Sequence, residues 1–350
     1  MQPWKERDLE EFRSFLAGSG PVLVATHVDP DGDALGSQGA IVLWLRRRGI
    51  SAEAYLEAPP PRRFSYLPHV SDLKVYAQAD AAPFPPSDGD VPRFSRAIFV
   101  DAASFDRVGR IAELLADGAA IVNIDHHVTN TRFGKFNFVN PEASSSAEVV
   151  YDLLRSLGEE IDADVAVSLY TGYLTDTGGF RFRNTSAKVF RDVSELIARG
   201  VSPADVAEYA LDTLTLPHLR LLRLALGTLR LHAEGLVATL TVTQAMLREA
   251  DAAYEDAEGL VGYARAIEGV EVGILFRETT EGAIRVSLRS RRNVDVSRIA
   301  ARFGGGGHAR AAGATLAPPL AQAEANVLSA VEEALREFRR DSAAGEGYGT

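Results

Sequence analysis

Three short apolar runs in this chain each stop at an ionisable group, and that pattern constrains the fold more than any other feature. Val22–Thr26 leads into His27, Ala97–Val100 into Asp101, and Ile121–Ile124 into Asp125-His126-His127. A buried strand that ends on a charge is costly unless the charge is solvated, paired or bound to metal. Helical spacing separates the runs, over Ala34–Arg48 with Gly49 as a stop, then about Asp106–Ala116, Ser146–Leu157 and Asp164–Leu174. The third strand is expected at Ala119–Ile124. Strands alternating with helices predict an α/β domain with a mainly parallel, covered sheet. Ligands of such sheets bind outside the carboxyl ends of the strands, where these groups gather.

The richest segment is Thr26-His27-Val28-Asp29-Pro30-Asp31-Gly32-Asp33-Ala34-Leu35-Gly36-Ser37. Read alone, it is a turn that caps the next helix. The other strand ends shift the balance, because capping does not explain three strands that end at ionisable groups, two of them with His. His27, Asp31 and Asp33 offer one nitrogen and two carboxylates, and a loop this rich in Gly and Pro can aim them at two different ions. Asp101 sits at a central strand end and is the candidate bridge. Asp176 adds a carboxylate after the apolar helix containing Leu169–Leu174. The chain has no Cys, so thiolate sites and disulfides are excluded. Asp and His together suit Mn²⁺ or Mg²⁺, with two ions about 4 Å apart activating a water and neutralising a phosphoryl oxygen.

Downstream the pattern changes. Ser186–Gly200 and Ser202–Leu231 read as a helical connector, and Leu236–Val242, Val270–Arg277 and Ala283–Ser290 as neighbouring strands. A helix at Val296–Phe303, a glycine run, a strand near Ala312–Leu316 and a helix at Ala321–Arg339 complete a smaller α/β domain. The expected boundaries are 1–185, 186–231 and 232–340, with a disordered tail at 341–350. Pro83–Pro92 reads as a proline-rich loop. The run Gly304-Gly305-Gly306-Gly307-His308-Ala309-Arg310 could cradle an anion on backbone N–H groups. Seven arginines and one acid, Asp295, lie between Arg285 and Arg310, in a chain of net charge -11. That local reversal points to a phosphate pocket. The overall acidity argues against non-specific coating of long nucleic acid. No apolar run is long enough to span a membrane and the N-terminus lacks a signal-peptide core, so a cytoplasmic protein is expected.

The segments HVDPDGDALGS, FVDAAS, NIDHH, TGYLTDTGGF and GGGGHARAAG, in that order, resemble the DHH phosphoesterase superfamily with its DHHA1 C-terminal domain. The likeness runs from about residue 20 to 340, and the two-domain length is most similar to the nanoRNase/pAp-phosphatase (bifunctional oligoribonuclease) group. The resemblance implies a Mn²⁺-dependent hydrolase with two ions per chain. Its substrates would be very short RNA, degraded from an end, and 3′-phosphoadenosine 5′-phosphate. It implies that His27, Asp31 and Asp101 hold one ion, and that Asp33, His126, Asp176 and Asp101 hold the other. His127 would face the scissile phosphate, and Asp125 would orient a ligand histidine. Arg289 and His308, with Gly305, Gly306 and Gly307, would grip the distal nucleotide, Arg291 and Arg292 being the alternatives to Arg289. Asp29 matches no ligand position, and Ser144–Ser146 either touch substrate or cap a helix. A homodimer is compatible with the reading. Rival readings are related hydrolases of linear or cyclic dinucleotides, single-stranded DNA or pyrophosphate, and a non-catalytic nucleotide-binding protein.

Overall fold

The structure is a computed structural model that describes residues 4–76, 93–292 and 294–345. The proline-rich stretch at 83–92 and the tail beyond 345 fall outside the described residues. Two compact units divide the chain, Met1–Thr213 and Leu214–Thr350.

The first unit is built on a six-stranded, all-parallel sheet in the order β3-β2-β1-β4-β5-β6. Its strands are β1 (Val22–Ala25), β2 (Ala52–Leu56), β3 (Lys74–Val75), β4 (Phe94–Val100), β5 (Leu115–Asp125) and β6 (Phe136–Val139). Side chains alternate across it. Val22 and Val24 enter one buried cluster with α1 (Glu6–Leu16), α2 (Gly32–Arg47), α3 (Ser146–Ser156) and α4 (Ala163–Asp176). Leu23 and Ala25 enter another with Val108, Ile111 and Leu114. Both faces are therefore covered, which explains why the strands read as continuous apolar runs.

Chain order reverses at β1, whose neighbours are β2 on one side and β4 on the other. This reversal is the switch point at which doubly wound sheets bind ligands. Two expectations differ here. The helix expected over 106–116 is a pair of 3-10 turns at Phe105–Leu114, broken where Gly109 takes φ 64. β5 starts earlier than the apolar run, at Leu115, because strand pairing with β4 extends past the hydrophobic residues.

Of the stretch expected as a connector, α5 (Ala187–Ala198), α6 (Pro203–Ala207) and a π turn at Glu208–Asp212 fall in the first unit. The helix α7 (Leu216–Leu226) falls in the second. Arg230–His232 is a strand, β7, and not the end of a helix. The second unit then adds β8 (Val237–Val242), α8 (Gln244–Ala250), α9 (Leu260–Ala266), β9 (Val272–Glu278) and β10 (Ile284–Ser290). After these come α10 (Val296–Ala301), β11 (Gly306–His308), β12 (Ala311–Leu316) and α11 (Leu320–Gly345). Its sheet order is β11-β12-β10-β9-β8-β7, antiparallel except for β8 beside β9. The helix α11 continues to Gly345, so the start of the segment expected to be disordered is helical. No helix among the described residues is long and apolar enough to cross a membrane.

Candidate metal centre

The carboxyl ends of β1, β4 and β5 deliver His27, Asp101 and Asp125-His126-His127 to one edge of the first unit's sheet. Asp101 turns there with φ 55, a left-handed conformation that Asp tolerates better than most residues. Its Oδ2 lies 3.4 Å from His27 Nε2, and its Oδ1 lies 3.7 Å from both His126 Nε2 and His127 Nδ1. Ser146 donates its hydroxyl to the same Oδ1 at 2.8 Å.

The remaining acids arrive on helices. Asp31 caps α2, with Oδ1 accepting from the N–H groups of Asp33 and Ala34. Asp33, two residues on in the first turn of α2, is buried, and each of its oxygens takes an N–H from the start of α3, Ser146 at 2.6 Å and Ala147 at 2.9 Å. Asp176 is the last residue of α4, and its Oδ2 is 3.7 Å from His126 Nε2. This approach depends on small residues where α2 crosses α4. A side chain at Gly36 would meet the Ser168 carbonyl at 2.4 Å, and one at Gly172 would meet Asp33 Oδ1 at 2.6 Å.

The donors fall into overlapping sets. His27, Asp31 and Asp101 bring ligand atoms within 4.8 Å of one another, as do Asp33, Asp101 and His126, and Asp101, Asp125 and His127. Asp101 is common to these three sets. His27 donates through Nδ1 to the Val28 carbonyl, 2.7 Å away, so Nε2 faces Asp101. His126 Nδ1 lies 3.3 Å from the Ala143 carbonyl, so its Nε2 faces Asp33, Asp101 and Asp176. Fixing one ring nitrogen in this way aims the other, as metal-binding histidines require.

The electrostatics are those of a site short of positive charge. The ion pairs formed by buried Asp33 and Asp101 come from histidines. Burial, then repulsion from Asp101, pushes the Asp33 carboxyl well above its usual range. For Asp101, burial acts upward, but the His27 hydrogen bond and the neighbouring imidazoles outweigh it and hold the carboxyl low. Burial lowers His127, yet its bond to Asp125 and the surrounding carboxylates carry it up to about 10. Two carboxylates this close repel unless a cation lies between them. The residues present thus fit a pair of hard divalent cations.

The carboxylate expected to steer a ligand histidine steers His127 instead. Asp125 Oδ1 is 2.8 Å from His127 Nδ1, and Asn130 holds the other oxygen at 2.5 Å. Asp29 is exposed. Sequence reasoning did not find Asn130, and it left the role of Ser146 open. Ser145 is the α3 cap, while Ser146 reaches Asp101, so only the fold could separate adjacent serines of like chemistry.

In the second unit, the glycine run forms a tight β11–β12 hairpin and not an open loop. A side chain at Gly305 or Gly307 would strike the carbonyl of Gly313 or Ala311, at 2.1 and 2.5 Å, and Gly307 takes φ 136. His308 and Arg289 both register with Ala311, one from each side. Directly paired antiparallel residues share a face, so these two side chains lie in one row with only a methyl between them. Arg291 instead reaches toward the Ala266 carbonyl at 3.3 Å.

Comparison with known proteins agrees with these two units. Residues 21–173 match the DHH family, N-terminal domain, and residues 235–337 match the DHHA1 domain. The chain is 39% identical over 320 residues to the bifunctional oligoribonuclease and PAP phosphatase NrnA of Thermus thermophilus, covering 91% of each. It is 26% identical to the protein of the same name from Bacillus subtilis, over 84% of this chain and 89% of that one. An exopolyphosphatase-related protein from Bacteroides fragilis superposes with a TM-score of 0.84 at 25% identity, over 97% of this chain and 98% of the other.

Proposed function

Since the chain belongs to the DHH phosphoesterase family with a DHHA1 domain, we propose that it hydrolyses very short oligoribonucleotides and 3′-phosphoadenosine 5′-phosphate. Two divalent ions, Mn²⁺ by preference, would supply Lewis acidity and an activated water at the scissile phosphate. The observation that carries this reading is the convergence of overlapping Asp/His sets on Asp101.

His27, Asp31 and Asp101 would hold one ion, and Asp33, His126, Asp176 and Asp101 the other. An all-oxygen-and-imidazole set favours Mn²⁺ over thiophilic metals. Ser146 orients the shared carboxylate by donating to Oδ1. Asp125 fixes the His127 ring through Nδ1, leaving Nε2 to meet the phosphate. Arg289 and His308 would grip the rest of the substrate, since a guanidinium binds phosphate through two parallel hydrogen bonds. The names of the curated relatives support the substrate class.

The test is Asp101→Asn, which keeps the size of the side chain and removes its charge. Hydrolysis of a diribonucleotide should fall by more than about 100-fold, the upper range for losing an outer partner of a metal site. Mn²⁺ content should fall with it. A variant that retains two ions per chain and hydrolyses normally would refute the shared-ligand assignment.

A further inference from the structure

The helix α5 carries a lysine where a helix disfavours one. Ser186 caps α5 and Lys188 is its second residue, in the positive end of the helix dipole. Its ammonium lies 2.6 Å from Asp192, 2.8 Å from Asp152 and 3.1 Å from Glu148. Burial holds the carboxyls of Asp152 and Asp192 above their ordinary range even with the ammonium beside them. The cluster is therefore overloaded with negative charge, and Lys188 is the cation these three carboxylates share.

Glu148 connects this cluster to the candidate metal centre. It lies in the first turn of α3, and its Oε2 accepts the Ser144 N–H at 2.8 Å, outside the helix. The next free N–H groups of α3, those of Ser146 and Ala147, go to Asp33. Two carboxylates thus divide the N–H groups around the start of α3, Ser144 to Glu148 and Ser146 and Ala147 to Asp33. A donor taken by Glu148 is lost to Asp33.

We propose that Lys188 is a positioning residue for the ion held by Asp33: it draws Glu148 toward Ser144 and so reserves the α3 amides for Asp33. The ion held by His27, Asp31 and Asp101 depends on it less, because Asp31 is fixed by the α2 amides and His27 by the Val28 carbonyl. The proposal rests on the two-ion reading above.

The experiment is Mn²⁺ titration of the intact protein by calorimetry, with wild type, Lys188→Met and Lys188→Arg. Wild type should show two binding events. In Lys188→Met one event should weaken by about tenfold, in the range for an outer partner of a metal site, and the other should stay within about twofold. Lys188→Arg should restore the weakened event. If Lys188→Met fails to fold, Glu148→Gln is read in its place, with the same expectation. Two events left unchanged, or weakened equally, or not restored by arginine, would overturn the positioning role. A wild type without two Mn²⁺ events would instead bring down the two-ion reading, and this proposal with it.

Discussion

At the residue scale, Asp101 shows how much one side chain can take on when its backbone is bent to suit. Its φ of 55 turns the carboxylate over the sheet edge, where imidazoles approach both oxygens and Ser146 donates to one of them. His69 is the opposite case, a buried imidazole with no hydrogen-bond partner at either nitrogen among the described residues. Burial, helped by the charge of Arg46, pushes its pKa down to about 4. The unfolded ring titrates at about 6.5, so the unfolded chain takes up a proton that the folded chain refuses. The folded state is thus at full strength above about pH 6.5 and weakens as pH falls toward 4. Between about pH 7.5 and about pH 5, the loss should be of the order of 2 kcal/mol. Urea unfolding of wild type and His69→Leu at both pH values checks this. An equal pH dependence in the two proteins would show that His69 contributes nothing to it.

At the scale of elements, the centre depends on how closely α2 crosses α4, and Gly36 and Gly172 set that distance. Gly172→Ala should raise helix propensity by about 1 kcal/mol. It should also force Asp33 and Ala147 apart, since the new methyl would lie 2.6 Å from Asp33 Oδ1 and 2.5 Å from Ala147 Cβ. Overpacking of this kind costs about 1–3 kcal/mol. The expected outcome is a modest fall in Tm with a much larger loss of Mn²⁺ affinity, measured by thermal unfolding and by calorimetry. Affinity preserved at full strength would mean that Asp33 does not need its present position. The periodic elements were legible because hydrophobic spacing decides them locally. The 3-10 turns at Phe105–Leu114 were not, because the positive φ of Gly109 interrupts a pattern that otherwise reads as helical.

At the scale of the whole molecule, the net charge of -11 limits what the protein can hold. Arg289 and His308 form a local basic row, but a long strand gains affinity only from phosphate contacts repeated along a basic surface. On the proposed function, kcat/KM should peak with oligonucleotides of about two to five residues and not increase beyond them. A length series from dinucleotide to about 24 nucleotides at fixed salt measures this. A value rising steadily with length would favour a processive exonuclease.

The sequence by itself determined the parallel sheet, the second α/β unit and the residue types of the centre. These are local properties: apolar runs define strands, spacing defines helices, and acids at strand ends report the binding edge. Tertiary structure alone decided which neighbour serves which purpose. It gave Ser145 to the helix and Ser146 to Asp101, attached Asp125 to His127 and not to His126, and turned the end of a glycine run into a strand, β11, paired with β12. Each of those choices depends on a partner far away in the chain, and spacing along a sequence carries no record of which distant group will lie within hydrogen-bonding distance.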